Sequence, residues 1–266
     1  MSVLALPRPG RGSSLPGWRR PLVYVGVVAA TLLVWWALSA TGTVQPLLLA
    51  SPAATWTALS TLAGTSGKVS DAVGVTVRET GLAFVIAAAV ALPLGLLIGS
   101  VRVMRRAYEP LITSASALPL VVLYPVLAAT LGVGSASKIA LGALYAFFPM
   151  AISTVRAVDT VDVRLLTAAT TMGAGARQRL GSVVVPLVLP PVLASMRVAL
   201  GLALVTIIAG EFISGAQGVG YQLGSASQLL DTPTLFAWIV VACALTVLVN
   251  VVFTLLSTTV LKGIHR

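Results

Sequence analysis

The chain has 266 residues, of which 58% are hydrophobic and 9% are charged, and its mean hydropathy is +1.01. Water cannot solvate a globular protein of this composition, so an integral membrane protein is predicted. The formal net charge is +10, but the basic residues cluster at the ends of apolar runs, which indicates membrane orientation and not nucleic-acid binding. The single cysteine, Cys243, excludes a disulfide framework within the chain.

The apolar runs predict an all-α, six-span helical bundle. Residues 1–20 are predicted to be a basic, disordered cytoplasmic tail, and residues 21–75 hold the first span and an outer interfacial segment with a short helix near Ala53–Leu62. Residues 76–261 form the predicted core domain, and residues 262–266 a second cytoplasmic tail. A cleavable signal peptide is the alternative for the first run, which is long for a signal core. The predicted spans are about 22–41, 76–100, 111–131, 139–155, 193–213 and 235–256.

The basic residues also predict the orientation of these spans. Short cytoplasmic loops are enriched in lysine and arginine. With both termini in the cytoplasm, the outer side receives only Lys68, Arg78 and Lys138 of the 17 basic residues. A shift by one span would reverse this bias, so a multi-pass protein with both termini inside is predicted.

The segment Asp162–Pro191 separates predicted spans four and five and carries three arginines. Asp162 can cap a short amphipathic helix, which Gly173 and Gly175 then end. A second short run follows and is predicted to end at Pro186 and Pro190-Pro191, where the chain would turn into the next span. A helical elbow is therefore expected here.

Residue spacing in this elbow resembles the signature loop of ABC-importer permeases. Thr167-Ala168-Ala169 stands at the start of the pattern, Gly173 falls in register, and Val183-Val184-Val185-Pro186 stands at its close, with Thr167 in place of the family's glutamate. The resemblance implies that a loop at about 158–190 is cytoplasmic and docks into a groove on a separate ATPase subunit. The coupling residues that it implies are Thr167, Ala168, Ala169, Gly173, Ala174, Arg177 and Pro186.

Further motifs along the chain resemble the nitrate/sulfonate/taurine group of these permeases. They are Ser51-Pro52, Leu118-Pro119-Leu120, Tyr124-Pro125, Gly132-Val133-Gly134, Phe147-Phe148-Pro149 and Gly218-Val219-Gly220-Tyr221. This resemblance implies the type I importer permease fold in a bacterial cell membrane. It also implies a homodimer, two ATPase subunits that carry ATP and Mg, an extracytoplasmic solute-binding protein and a small, anionic solute. Relatives for pyrimidine vitamin precursors and aromatic carboxylates share the pattern, so the solute stays open.

Five residues are candidates for the pathway or its gate: Glu211, Arg197, Pro119, Tyr124 and Pro125. Ionisable groups at membrane depth are costly and are functional hypotheses by default. Glu211 is expected to face the central pathway or its outer gate; the alternatives are an interfacial position or a pair with Arg197 or Lys138. Arg197 is expected to face the pathway or to extend towards the cytoplasm. The prolines can bend helices around a cavity, or can be kinks that neighbouring helices tolerate.

No catalytic or metal-binding constellation is visible in the sequence. The one histidine, His265, lies in the tail without a companion, and no nucleophile has a nearby base. Cofactors are therefore not expected in this chain. An ion-coupled secondary transporter is the alternative function, but it would show inverted repeats and several ionisable groups at mid-membrane. A membrane-embedded enzyme would need clustered acidic or histidine residues, which are absent from the sequence.

Overall fold

The computed structural model describes residues 19–65 and 67–264, and every regular element in these ranges is helical. Most of the predicted amino-terminal tail and His265 lie outside the described residues. A 3₁₀ turn, Leu120–Leu123, precedes α5, and a π-helical turn, Leu180–Val184, joins α8 to α9. The helices are α1 Arg19–Ala40, α2 Pro52–Gly64, α3 Lys68–Ser100, α4 Arg102–Ala115, α5 Tyr124–Leu131, α6 Ser135–Asp159, α7 Val163–Thr171, α8 Ala176–Arg179, α9 Val185–Ser214, α10 Val219–Gln228 and α11 Thr232–Ile264.

Four helical stretches in the described residues are long and apolar enough to cross a membrane. They are α3, α6, the continuous stretch Ala176–Ser214 and α11, and they correspond to predicted spans two, four, five and six. Predicted span one lies in α1, whose described apolar part, Val25–Ala40, is shorter than these four. The all-α membrane fold is therefore confirmed, with a fifth crossing if a bent helix pair counts as one span.

The bent pair corrects the prediction of a third span over 111–131. Helix α4 and the stretch Leu120–Leu131 meet at an angle of 81°, and the predicted loop Val101–Pro110 is helical as the first part of α4. The break falls at Ser116–Pro119, because proline has no N–H to donate and disfavours helical backbone in the residue before it. Tight turns complete the end of α4, with Leu118 N donating to Ala115 O at 3.2 Å.

Helices α3, α6 and α9 pack closely because alanine and glycine line their contacts. A Cβ on Gly95 would lie 2.6 Å from Thr154 Cβ, and one on Gly99 would lie 2.8 Å from Val158 Cβ. These two glycines therefore allow the backbones of α3 and α6 to approach closely. The centre of the bundle is an apolar cluster that includes Ala83, Ala87, Ala91, Ala146, Met150, Ala199, Ala203 and Ile207.

A second apolar cluster surrounds the fully buried Trp238 and joins α11 to α2, α9 and α10. Helix α2 confirms the helix expected near Ala53–Leu62, and Ser51 caps it by accepting a hydrogen bond from Ala54 N at 3.2 Å. The indole Nε1 of Trp35 donates to Ala50 O at 2.9 Å, which fixes α1 to the start of α2.

The polar segment 214–233 contains a helix that its composition did not indicate. Helix α10 packs against α9 so closely that a Cβ on Gly224 would lie 2.9 Å from Phe212 O. Val219, at its first turn, is fully buried. Small residues such as Gly224 allow this contact.

Candidate functional site

The first limb of the predicted elbow is α7. The Asp162 carboxylate accepts a hydrogen bond from Arg164 N at 2.8 Å, which confirms the predicted cap. The helix ends beyond Thr171, and Gly173 has φ +84°, in the left-handed region that favours glycine. Ala174 N then donates to Ala169 O at 3.0 Å, which closes the turn. The expected stop at Gly173 is therefore confirmed.

The second limb does not end at Pro186 or at Pro190-Pro191, which lie inside α9, and this prediction is wrong. Helix α8 continues through the π-helical turn into α9 without a break, so that one helical stretch runs from Ala176 to Ser214. Val185 N donates to Leu180 O, one residue further back than in an α-helix. The wider turn avoids the clash that the ring of Pro186 would otherwise make with the carbonyl of the preceding turn.

The two limbs are joined by polar contacts within the elbow. Arg179 Nη1 donates to Thr170 Oγ1 at 2.9 Å, and Gly175 N donates to Gln178 Oε1 at 3.0 Å. Arg179 therefore bonds within the chain. Arg177 is exposed.

One face of α7 anchors the elbow to the bundle, while another is apolar and exposed. Ala169 is 6% exposed, and Leu166 packs against the cluster of Ala157 and Val184. On the exposed face lie Leu165, Ala168 and Met172, and the side chain of Met172 is 81% exposed. We call these three residues the elbow stripe. An exposed apolar stripe on a fixed helix is typical of a protein-binding surface.

A cavity of about 600 Å³ separates the elbow from the ends of α3 and α6. Arg105 and Asp159 form an ion pair of 2.5 Å at its edge. The elbow therefore contacts the bundle through a limited set of residues and leaves space beside it. Lining residues include Ser100, Arg102, Val161, Leu166 and Arg179.

Glu211 lies inside the packing of the chain, with no exposed side chain surface. Its carboxylate oxygens lie 2.8 and 2.9 Å from Thr76 Oγ1, and Gly220 N donates to Oε2 at 2.8 Å. Val219 N donates in turn to Thr76 Oγ1 at 3.0 Å. A carboxylate is stabilised at a helix amino terminus, so Glu211 holds the first turn of α10 to α9 and α3.

Gly218 and Gly220 are required by this arrangement. A Cβ on Gly218 would lie 2.3 Å from the Glu211 carboxylate, and one on Gly220 would lie 2.0 Å from Ile208 O. Gly218 also has φ +104°. These glycines therefore allow close approach of backbone and carboxylate, which the sequence alone did not indicate.

Neither alternative partner of Glu211 contacts it. Lys138 Nζ instead lies 2.9 Å from Glu79 Oε2 and 3.0 Å from Oε1, and both side chains are buried. This pair joins α3 to α6, and the sequence did not predict it. Arg197 Nε donates to Asn250 Oδ1 at 3.4 Å, which joins α9 to α11.

The remaining pathway candidates lie around the bent pair. Pro119 stands at the break and Pro125 in the first turn of α5, which places both prolines where the chain changes direction. Tyr124 is buried, and its hydroxyl contacts Ser214 Oγ at the end of α9. In residues 19–65 and 67–264, no group of three or more histidine, cysteine, aspartate or glutamate side chains could hold a metal ion.

Residues 91–265 match the family described as binding-protein-dependent transport system inner membrane component. The taurine transport system permease protein TauC of Escherichia coli K12 is 30% identical over 233 residues, which cover 84% of this chain and 85% of that protein. The putative aliphatic sulfonates transport permease protein SsuC of Bacillus subtilis is 27% identical, covering 88% of this chain and 83% of that protein.

The fold is similar to that of a solved transporter. A chain from the inward-facing MetNI methionine ABC transporter aligns with a TM-score of 0.60 and 18% identity. The alignment covers 73% of this chain and 95% of that one. At this identity the likeness concerns the fold, and it is the fold of a type I importer permease.

Proposed function

Because the chain belongs to the family of binding-protein-dependent transport system inner membrane components, we propose that its elbow couples a separate ATPase to solute import. The chain is the permease subunit of an ABC importer. An ion-coupled secondary transporter is not favoured, since the similar proteins are ABC permeases. In our proposal, ATP and Mg bind the partner ATPase, and this chain contains no catalytic residue.

The observation that carries the coupling proposal is the elbow stripe. Leu165, Ala168 and Met172 are apolar and exposed, whereas Ala169 and Leu166 on the neighbouring face fix α7 to the bundle. A groove on the ATPase that covers the stripe would bury this apolar surface and hold the elbow at the same time. Thr167 lies outside the stripe, so docking does not depend on the glutamate that the family has at this position.

The proposal predicts that a charge on the stripe separates the two subunits. Met172→Glu would place a carboxylate in the buried interface, where an unpaired charge is strongly disfavoured. We expect the ATPase to be lost from the permease purified in detergent, with affinity reduced about tenfold or more. Co-purification of the ATPase with a tagged permease measures this directly.

Val163→Glu is the matched control for this experiment. Val163 is 71% exposed and lies on the same helix, but on the side away from Met172. The same charge there is expected to leave ATPase binding close to that of the unchanged chain. If Met172→Glu binds the ATPase as well as Val163→Glu does, the stripe is not the docking surface.

We further propose that two copies of this chain enclose the translocation pathway, with one ATPase subunit on each and an extracytoplasmic binding protein on the outer side. The family supports an ATPase and a binding protein as partners. Pro119, Tyr124 and Pro125 are the proposed gate residues at the bent pair, and their positions at a change of chain direction support this role.

The proposed solute is a small organic anion of the sulfonate or taurine type. The names of the two relatives support this class. Other similar proteins are named for riboflavin and formylaminopyrimidine transport, so the class needs a direct test. Titration of the partner binding protein with taurine, ethanesulfonate, nitrate and a neutral pyrimidine identifies the solute.

Glu211 is proposed to act at the outer gate through α10. Its carboxylate is buried and bonds to Gly220 N and Thr76, so its contribution is to position α10 and not to contact solute in the conformation described. Movement of α9 relative to α3 would break these bonds and release the first turn of α10.

A further inference from the structure

Arg197 and Asn250 meet near the middle of two long apolar helical stretches. Arg197 lies close to the midpoint of the helical stretch Ala176–Ser214, and Asn250 lies close to the midpoint of the span Thr232–Gly263. Their side chains are 3.4 Å apart, between Nε and Oδ1. Arg197 and Asn250, on two antiparallel helices, therefore lie at the same level, far from both ends of the bundle.

The charge of Arg197 has no counter-ion within the chain. All seven acidic residues lie in the part of the chain that the structure describes, and none forms an ion pair with Arg197. Glu79, Glu109 and Asp159 form ion pairs with other basic residues. Asp162 and Asp231 accept hydrogen bonds at helix ends, and Glu211 bonds to Thr76. Asp71 lies in the first turn of α3.

Most donors of Arg197 also lack an acceptor in residues 19–65 and 67–264. Only Nε is hydrogen-bonded, to Asn250 Oδ1, while the terminal guanidinium nitrogens make no hydrogen bond to these residues. The Asn250 amide nitrogen is bonded to Thr246 O at 3.0 Å, which fixes its oxygen towards Arg197. The planar end of the guanidinium is therefore free to bind a carboxylate, sulfonate or phosphate group.

An exposed arginine at this depth cannot face hydrocarbon without a large cost, so it must face water, protein or a ligand. Polar side chains lie on both sides of Asn250 along the same α11 face, at helical spacing. These are Thr246, Thr254 and Ser257. A lipid headgroup would lie at the membrane surface and not at this depth.

We propose that α9 and α11 enclose a water-accessible cleft at Arg197, and that this cleft is an anion-binding step of the pathway. We call it the mid-membrane anion site. Its ligand class is a small solute with a deprotonated acid group, which the guanidinium would bind through two hydrogen bonds, with Asn250 holding the guanidinium in place. This inference rests on the proposed function, because it assigns one residue of the pathway a role in charge selection.

Cysteine reactivity tests the site without knowledge of the solute. In a Cys243→Ala background, Asn250→Cys is compared with Val252→Cys, which lies at the same depth on the opposite face of α11. The assembled transporter in membrane vesicles is treated with a negatively charged sulfonatoethyl and a positively charged trimethylammonium-ethyl methanethiosulfonate. Thr254→Cys, one turn further along the same face, provides a second reading if Asn250→Cys does not fold.

If the mid-membrane anion site exists, the cysteine of Asn250→Cys reacts faster than that of Val252→Cys, and it reacts faster with the negative reagent than with the positive one. Adding Arg197→Gln is expected to lower the ratio of negative to positive reagent by about tenfold, while Arg197→Lys largely retains it. Equal, slow reaction at positions 250 and 252 would show that no aqueous cleft exists. A ratio that Arg197→Gln leaves unchanged would show that the cleft does not select anions.

Co-purification of the ATPase from the same membranes separates this inference from the proposed function. If the ATPase is bound but the charge preference is absent, only the mid-membrane anion site is wrong. If the charge preference is present but no ATPase binds, the site stands and the coupling proposal is wrong.

Discussion

At the scale of single residues, buried polar side chains determine how the helices are joined. Thr76 and Glu211 are 135 positions apart in the sequence and still within hydrogen-bond distance. Glu211 could be singled out from the sequence, because a carboxylate within an apolar run is rare. Its partners could not, since Thr76, Val219 and Gly220 are common in membrane helices and meet only after three helices have packed.

The pairing of Glu79 with Lys138 could not be predicted from the sequence either. In the sequence, each is a charge near the end of a predicted span, and in the structure they form a buried ion pair between α3 and α6. Removing one member of such a pair leaves an uncompensated buried charge. The sequence showed two charges but gave no indication of the register in which α3 and α6 pack.

We predict that Glu211→Gln weakens the outer end of the bundle and lowers uptake. The amide has one acceptor oxygen in place of two, so one of the bonds to Thr76 and Gly220 is lost or is replaced by a weaker one. We expect the free energy of unfolding to fall by about 1–3 kcal/mol. Thermal unfolding in detergent and uptake by cells carrying the variant measure the two effects.

Glu109→Gln serves as the control, because Glu109 pairs with the exposed Arg156 away from this cluster. Its effect on stability should be about 0–1 kcal/mol. Uptake by Glu211→Gln equal to that of Glu109→Gln would remove Glu211 from the gate.

At the scale of elements, local chemistry predicted the start and the first turn of the elbow. The Asp162 cap and the stop at Gly173 depend on residues within a few positions of each other, and both are present. The end at Pro186 failed because a proline can remain in a helix when the preceding turn widens. Packing of Val184 and Val188 against Ala157 favours this continuation, and such packing is not visible in a local pattern.

We predict that Gly173→Ala disturbs the elbow while leaving the bundle intact. No atom lies within 4 Å of the added methyl group, so the effect comes from the left-handed backbone alone. This conformation costs an L-residue about 1–2 kcal/mol, which would reduce the population of the docked elbow by about fivefold or more. Uptake and ATPase co-purification should both fall.

Gly181→Ala is the matched control, since it also has no neighbour within 4 Å and its backbone is helical. It is expected to transport at the rate of the unchanged chain. Equal transport by the two variants would mean that the angle set at Gly173 is not needed for coupling.

At the scale of the whole molecule, composition predicted a helical membrane protein and the apolar runs located most of its spans. The number of straight crossings was overestimated, because a run with Pro119 in it satisfies a hydropathy window even when the helix bends by 81°. The buried helix α10 was missed because its glycines and serines resemble a loop. Both errors arise where backbone geometry and close packing, and not hydropathy, decide the structure.

We predict that the elbow faces the cytoplasm and the turn between α5 and α6 faces outwards, as the basic residues indicate. Val133 in this turn is 72% exposed, and Thr171 at the end of α7 is exposed. In a Cys243→Ala background, a membrane-impermeant maleimide should label Val133→Cys in intact cells. It should label Thr171→Cys only in inverted vesicles, and the reverse pattern would overturn the orientation.

The stretch from Ala176 to Ser214 has 39 residues and is one continuous helix, whose contour length is about 58 Å. One end of this helix belongs to the elbow, its middle carries Arg197, and Glu211 lies near the far end. A rotation of the helix by about 5° about one end would displace the other by roughly 5 Å, more than the length of a hydrogen bond. A movement that the ATPase imposes on the elbow end of this helix would therefore move the Glu211 end, on the opposite side of the membrane, at the same time.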